Sequence, residues 1–190
     1  MWESIVQADQ DIFIWVNGLW ISKFHSFWVF VTQIENWFLL YLFFFFLLFK
    51  KLNSPVNYIA MTAIPLVVFI TLALTNLVKN EVERLRPNNE PVLMDSIQIL
   101  LKPENFSFWS GHSAVSFAVT TFVVLALRSK DMSKWMLLFY IWPIIFAFSR
   151  IFIGVHYPAD ITVGMLVGIT SGWLFFILFT KISRLLQHTT

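Results

Sequence analysis

Long runs of apolar residues, separated by short polar segments, dominate this 190-residue chain. A helix needs about 20 apolar residues to cross the roughly 30 Å of hydrocarbon in a bilayer. Four runs approach that length, at residues 56–78, 113–127, 135–149 and 161–180. A fifth run, at residues 37–49, reaches it only when it is extended back through Glu35 and Asn36. The pattern therefore predicts five membrane-spanning helices.

The first 35 residues follow a different pattern. Apolar residues recur there at helical spacing (Trp2, Ile5, Val6, Ile12, Phe13, Val16 and Leu19), opposite the polar residues Glu3, Asp9, Gln10 and Asn17. A helix with two such faces is typical of the membrane interface, so we predict an N-terminal interfacial helix. Residues 20–34 fit either a short helix that dips into the membrane or a sixth, tilted crossing, and the sequence is compatible with both.

The composition supports a membrane protein. Apolar residues make up 58% of the chain and charged residues 13%, about half the share of roughly 25% that soluble domains carry. This balance excludes a disordered or nucleic-acid-binding protein, and the absence of cysteine excludes disulfides and thiolate chemistry. We predict an all-α, polytopic membrane bundle of five to six transmembrane helices. It forms a single domain over residues 1–190, with the functional core at about 57–181 and the N-terminal helices at about 1–35.

The positions of the basic residues predict the orientation of this bundle, because cytoplasmic loops collect Lys and Arg. With five crossings, one face receives Lys50, Lys51, Arg128, Lys130, Lys134, Lys181 and Arg184. The opposite face receives the long polar segment 79–109, in which basic and acidic residues are mixed. We therefore predict that this segment lies on the periplasmic or extracellular side of a bacterial inner membrane, with the C-terminus inside.

Three polar clusters are expected on that outer face, and the first follows the apolar run 56–78. Lys79 and Arg86 are seven residues apart, about two helical turns, so they should share one helix face before Pro87 ends the helix. The alternative is a basic helix end whose long side chains reach the lipid headgroups.

The second cluster is Ser110-Gly111-His112, at the start of the run 113–127. It places a capping hydroxyl, a residue without a side chain and an imidazole at a helix N-terminus. Such a terminus binds anions through its free backbone N–H groups and the positive end of the helix dipole. The alternative is a plain serine cap beside a hydrogen-bonded histidine.

The third cluster contains Arg150, His156 and Asp160, and Pro158 is predicted to be the first residue of the last helix. This geometry can set the Asp160 carboxylate against the His156 ring and so fix which ring nitrogen carries the proton. The alternative is an ion pair between Arg150 and Asp160 with His156 as a bystander. Ionisable groups near a membrane are costly, and six of them on one face exceed what anchoring requires.

Together these clusters resemble the three-part signature of the type 2 phosphatidic acid phosphatase superfamily, over residues 79–160. The resemblance rests on Lys79 with Arg86-Pro87, on Ser110-Gly111-His112, and on Ser149-Arg150 with His156 and Asp160. Trp109 stands where the family usually has proline, which leaves the backbone before Ser110 less restricted. We expect the Trp109 ring, with Phe106 and Phe108, to lie in the headgroup belt, and contact with a lipid chain is the alternative.

The resemblance implies a role for each residue of the signature. His156 would be the nucleophile that takes the phosphoryl group, Asp160 would orient it, and His112 would protonate the leaving oxygen. Phosphoryl transfer also needs charge neutralisation on the phosphate oxygens. The cations Lys79, Arg86 and Arg150, the Ser110 hydroxyl and the backbone N–H groups of Gly111 and His112 would supply it. No metal-ligand spacing is present, so we expect neither a metal nor another cofactor.

We therefore predict a membrane lipid phosphatase whose partners are lipid phosphates and membrane lipids, with no role for nucleic acid. Undecaprenyl diphosphate is the first choice of substrate, and phosphatidylglycerophosphate, phosphatidic acid and lipid A phosphates are alternatives. A lipid phosphotransferase fits the same residues. Vanadate-dependent haloperoxidases resemble the same motifs but are usually soluble and much larger. A haem-binding electron carrier with His112 and His156 as axial ligands is the main non-enzymatic alternative. The sequence gives no indication of the oligomeric state.

Overall fold

A computed structural model describes residues 2–128 and 134–189 of the chain, and all the regular secondary structure in these residues is helical, as predicted. The α-helices are α1 (Trp2–Asn17), α2 (His25–Thr32), α3 (Phe38–Lys51), α4 (Val56–Val82), α5 (Gly111–Arg128), α6 (Ile141–Phe152) and α7 (Pro158–Thr189). Short 3₁₀ segments lie at Trp20–Lys23, Ile34–Trp37, Pro87–Asn89 and Lys134–Tyr140. Lys130, which belongs to the predicted cytoplasmic face, lies outside the described residues.

The helices account for four or five membrane crossings. Four segments of the described chain are long and apolar enough to span a bilayer: Val56–Asn89, Gly111–Arg128, Trp135–Phe152 and Pro158–Leu186. A fifth span is possible if α2 and the segment Ile34–Lys51 count as one, although they are bent by 72° at Gln33. Residues 25–32 are the bent half of that pair, and no further helix among the described residues is long and apolar enough to be a sixth crossing.

The N-terminal helix α1 forms as predicted, but it presents a different face to the bundle. Asp9, Phe13 and Asn17, four residues apart, are all buried, and the Phe13 ring packs at 5.5 Å from Tyr157. The amide of Asn17 donates to the carbonyl of Ile151 at 2.9 Å. Asp9 and Asn17, predicted to lie on the outward polar face, are buried because they bind backbone groups at the end of α6 and the start of α7.

Helix α4 ends earlier than predicted, and this changes the position of Arg86. The helix stops at Val82, and Glu83 caps it in the left-handed conformation, with φ of 51°. Arg86 is extended, with φ of −77° and ψ of 156°, because the following Pro87 disfavours a helical conformation at that position. The prediction that Lys79 and Arg86 share one helix face is therefore wrong.

Close packing of α5 against α7 sets the frame of the site. Gly164, Gly168 and Gly172 of α7 face the backbone of α5, and a Cβ added at Gly168 would lie 2.3 Å from the carbonyl oxygen of Ala114. Small residues spaced by four allow two membrane helices this close approach. As a result the N-terminal ends of α5 and α7 meet, and the Ser110 N–H donates to the Asp160 carbonyl at 3.0 Å.

Candidate active site

The three motif clusters surround one cavity of about 480 Å³. Six of the eight predicted site residues line it: Lys79, Arg86, Gly111, His112, Arg150 and His156. The other two, Ser110 and Asp160, are fully buried and do not line the cavity. Apolar side chains from α4 and α5, including Val68, Leu72 and Val115, form another part of its wall. The cavity therefore combines a cationic region with a surface suited to an apolar group.

His156 lies in the short loop between α6 and α7. Gly154 makes the turn into this loop with φ of +81°, and any side chain there would meet the carbonyl oxygen of Gln98 at 2.3 Å. The backbone N–H of His156 then donates to the carbonyl of Arg150 at 3.3 Å. This turn directs the buried imidazole towards the cavity, because it fixes the loop backbone close to the end of α6.

The two ring nitrogens of His156 have different partners. Nδ1 lies 3.2 Å from Oδ2 of Asp160, while Nε2 lies 3.0 Å from Nη1 of Arg86. A guanidinium can only donate, so Nε2 is the acceptor and Nδ1 carries the proton towards the carboxylate. Burial, followed by the nearby cations Arg86 and Arg150, lowers the pKa of the His156 ring well below its usual value. The imidazole is thus neutral, with its lone pair on Nε2, on the side of the ring that faces Arg86.

The Asp160 carboxylate, which is 0% exposed, is held by four donors. Its Oδ2 accepts from the His156 ring, from the backbone N–H of Tyr157 at 3.0 Å and from the hydroxyl of Ser107. Its Oδ1 accepts from Nη1 of Arg84 at 2.7 Å. The alternative ion pair between Arg150 and Asp160 is therefore wrong, because Arg84 takes that place.

The three predicted cations are held by the loop before α5 and by α2. Lys79 donates to the carbonyl oxygens of Phe106 and Ser107, at 2.5 and 3.3 Å. Arg86 makes a double contact with Asn105, through Nε to its carbonyl at 2.6 Å and through Nη2 to its side-chain oxygen at 2.7 Å.

Arg150 differs from the other two cations, because part of its guanidinium has no partner. Its Nη1 donates to the hydroxyl of Thr32 at 2.6 Å. Its buried Nε has no hydrogen-bond partner among the described residues. Lys79, Arg86 and Arg150 are thus fixed mostly by neutral oxygens, and their positive charges are free to stabilise an anion in the cavity.

The start of α5 contributes differently from what the motif suggested. The Ser110 hydroxyl accepts the N–H of Ser113 at 3.3 Å and so caps the helix, as predicted. Direct contact of that hydroxyl with a phosphate stays a prediction. The His112 ring lies in the cavity wall, 5.0 Å from the Phe146 ring, and hydrogen-bonds the backbone of Thr32.

Trp109 is not an interfacial anchor. Its side chain is only 9% exposed, and its Nε1 donates to the hydroxyl of Thr75 at 2.9 Å. The belt position expected for Trp109 is therefore wrong, because the indole instead joins the loop before α5 to the middle of the site on α4.

Sequence reasoning missed the residues that hold the predicted ones: Asp9, Thr32, Arg84, Asn105 and Ser107. Arg84 stands within the first motif segment and Ser107 three residues before Ser110, so both were near recognised positions. Nothing in the local pattern around Asp9 or Thr32 points to the site, because their partners are 75 and 118 residues away along the chain.

Comparison with known proteins agrees with this geometry. The sequence model of the PAP2 superfamily matches residues 60–184. The chain is 27% identical to a lipid A 4′-phosphatase of Bacteroides thetaiotaomicron over 194 aligned residues, covering 100% of this chain and 85% of that protein. It is 31% identical to an undecaprenyl-diphosphatase of Sulfolobus acidocaldarius, over 57% of this chain and 48% of the relative. The crystal structure of a transmembrane PAP2-type phosphatidylglycerolphosphate phosphatase from Bacillus subtilis has a similar fold, with a TM-score of 0.67, 20% identity, and coverage of 95% of this chain and 87% of that one.

Proposed function

Since this chain belongs to the PAP2 superfamily, we propose that it is a membrane phosphatase that hydrolyses a phosphate monoester of a lipid A-type glycolipid. The observation that carries the proposal is the single cavity lined by His112, His156 and three cations beside an apolar wall. A phosphorylated lipid needs both features, because its phosphate is an anion and its hydrocarbon chains are apolar.

The first chemical step is attack on phosphorus by Nε2 of His156. A P–N bond forms as the P–O bond to the lipid breaks, and His112 gives its proton to the leaving lipid oxygen. Positive charge then develops on the His156 ring, and Asp160, 3.2 Å from Nδ1, stabilises it. In the second step His112 takes a proton from water as the water oxygen attacks phosphorus. A P–O bond forms, the P–N bond to His156 breaks, and inorganic phosphate leaves.

The three cations neutralise the phosphoryl oxygens during both steps. Phosphoryl transfer depends mainly on positioning and on electrostatic stabilisation of these oxygens. Arg86 already donates to Nε2 of His156, so its guanidinium can pass from that nitrogen to a phosphate oxygen as the substrate enters and leave the Nε2 lone pair free to attack. With Lys79 and Arg150 lining the same cavity, the protein supplies the positive charge that other phosphatases obtain from metal ions, and we expect turnover to persist in EDTA.

Lipid A replaces undecaprenyl diphosphate as the first choice of substrate because of the extent of the similarity. The lipid A 4′-phosphatase relative aligns with the whole of this chain, whereas the undecaprenyl-diphosphatase relative aligns with little more than half of it. The undecaprenyl carrier stays the second candidate. We place the reaction on the periplasmic face, as the distribution of basic residues predicts.

A lipid panel tests the proposal directly. Purified protein in detergent, with excess EDTA, is given lipid A carrying phosphates at both ends, undecaprenyl diphosphate, phosphatidylglycerophosphate and phosphatidic acid. We expect the fastest phosphate release from lipid A, with mass spectrometry of the product giving the position of the lost phosphate. His156→Ala should abolish release, and His25→Ala, which alters an exposed histidine outside the cavity, should not. If phosphate is released from none of the four lipids, the proposal is contradicted. Faster release from undecaprenyl diphosphate than from lipid A would favour the second candidate.

A further inference from the structure

An ion-pair chain connects the N-terminal helix to the carboxylate that contacts His156. Oδ2 of Asp9, on α1, lies 2.6 Å from Nη2 of Arg84, and Nη1 of the same guanidinium lies 2.7 Å from Oδ1 of Asp160. Arg84 thus lies between two carboxylates and uses a different nitrogen for each. A guanidinium bound in this forked way has little rotational freedom.

Asp9 and Arg84 are each fixed by a further contact. The second oxygen of Asp9 accepts the backbone N–H of Ala159 at 2.8 Å, at the N-terminal end of α7. The guanidinium of Arg84 lies over the Tyr157 ring at 3.9 Å from its centre. The Asp9 side chain is 10% exposed and that of Arg84 21%, so water reaches these groups only in part. The arrangement is better fixed than an ordinary surface ion pair.

We propose that Asp9 is a positioning residue for the reaction: it holds Arg84, and Arg84 holds Asp160 in the orientation that serves His156. The inference rests on the proposed phosphatase function. Neither Asp9 nor Arg84 lines the cavity, so both act through Asp160 and not on the substrate. Helix α1 is then part of the catalytic apparatus and not only an interfacial anchor.

The charges along the ion-pair series Asp9–Arg84–Asp160 alternate in sign. The proposal therefore predicts opposite effects on the protonation of His156 when Asp9 and when Arg84 is neutralised. The ionisable groups facing His156 are Lys79, Arg84, Arg86, Arg150, His112 and Asp160. Removing the charge of Arg84 takes a cation from this set and should make His156 easier to protonate. Removing the charge of Asp9 takes away one of the two carboxylates that offset Arg84 and should make His156 harder to protonate. Purely structural damage would not shift the two variants in opposite directions.

The experiment compares Asp9→Asn and Arg84→Gln with Asp11→Asn. Asp11 is a matched control on the same helix, because it is exposed and its contact is with Gln7 of α1. Phosphate release by purified proteins is measured across pH. We expect kcat to fall about 10-fold in Asp9→Asn and up to about 100-fold in Arg84→Gln, as for the loss of hydrogen bonds between charged groups, with KM little changed. The acid side of the pH–rate profile, where protonation of His156 lowers the rate, should move to lower pH in Asp9→Asn and to higher pH in Arg84→Gln.

Two additional variants separate positioning from folding. Asp9→Glu keeps the charge, so it should keep the wild-type pH profile and recover most of kcat. In Arg84→Gln protein, adding Asp9→Asn should have little further effect on kcat, because Asp9 acts through Arg84. If Asp9→Asn does not accumulate as folded protein, the comparison of Asp9→Glu with Arg84→Gln carries the test. The acid side of the pH–rate profile should then stay at the wild-type pH in Asp9→Glu and move to higher pH in Arg84→Gln.

A readout without substrate distinguishes this inference from the proposed function. Histidine-labelled protein is titrated by NMR, and the His156 signal is assigned by its loss in His156→Gln. We expect the same opposite shifts in the His156 titration. If wild type releases no lipid phosphate, the proposed function fails while the titration still decides the inference. If Asp9→Asn and Arg84→Gln match Asp11→Asn in kcat and in the titration, the inference is overturned.

Discussion

Replacing Asp160 by asparagine isolates the electrostatic contribution of this carboxylate. Asparagine has nearly the same shape, so the packing at the start of α7 should persist. Arg84 would not be left without an ion pair, because Asp9 lies 2.6 Å from its other nitrogen. We therefore expect Asp160→Asn to fold and to bind substrate normally, since Asp160 does not line the cavity.

The size of the effect follows from one distance. When His156 attacks phosphorus its ring becomes positive, and the Asp160 oxygen lies 3.2 Å from Nδ1. At an effective dielectric constant of about 20, unit charges at that separation attract each other by about 5 kcal/mol. This corresponds to between three and four powers of ten in rate. The asparagine dipole retains part of the interaction, so we expect kcat to fall by about 10³.

The assay is steady-state phosphate release from the preferred lipid, with kcat and KM determined separately. Asp95→Asn is the matched control, because Asp95 is an exposed aspartate in the loop between α4 and α5. Its kcat should equal that of wild type. A folded Asp160→Asn protein with kcat within about tenfold of wild type would refute the assignment of Asp160 as the stabiliser of the His156 charge.

Three other predictions follow from the same structure. Phosphate release should have a bell-shaped dependence on pH, with the acid limb below about pH 6.5, because the lowered pKa of His156 keeps its ring neutral until the pH falls further. A rate that does not decline on the alkaline side by about pH 9 would contradict His112 as the proton donor. Gly168→Val should lower the unfolding midpoint in detergent by about 5 °C or more, because its Cβ would lie 2.3 Å from a backbone oxygen of α5. Gly111→Ala, whose Cβ would lie 3.5 Å from its nearest neighbour, should leave that midpoint nearly unchanged. The natural chain has no cysteine, so Val92→Cys should react with an impermeant maleimide added to intact cells and Lys51→Cys should not, if the loop between α4 and α5 lies outside. The reverse labelling would invert the predicted orientation.

The helix positions that the sequence predicted well are those with strong local signals. Pro158 begins α7 and Ser110 caps α5, as their residue types indicate. The end of α4 lacked such a signal, because the left-handed residue that stops it is Glu83 and not glycine or asparagine. Helical spacing then extended the predicted helix to Arg86. The motif residues still converge because the extended segment after Glu83 brings Arg86 back over His156.

The polar face of α1 shows why part of the site could not be predicted. Asp9 and Asn17 have the spacing of a solvated face, and amphipathicity alone assigns such a face to water. In the folded bundle, however, the loop between α4 and α5, the end of α6 and the start of α7 present backbone donors, backbone acceptors and one arginine that need partners. A polar helix face can satisfy these groups and an apolar face cannot. The choice between water and protein therefore depends on contacts between residues 75 or more positions apart, which no local pattern contains.

In this chain the residues assigned to the reaction could be predicted from the sequence, whereas the residues that hold them in place could not. The groups assigned to the reaction lie in three short segments, because each segment must place two or three atoms at fixed spacing at a helix end. The groups that hold them pair across long separations, as Arg84 does with both Asp9 and Asp160, and Arg150 with Thr32. Such a supporting pair can be exchanged for another pair of similar charge without altering the reacting atoms. Substrate preference among phosphatases with the same motifs should depend on neither set but on the apolar wall of the cavity, where Val68 and Leu72 of α4 and Val115 of α5 lie. Exchanging these wall residues between relatives should change lipid preference while His156→Ala still abolishes turnover.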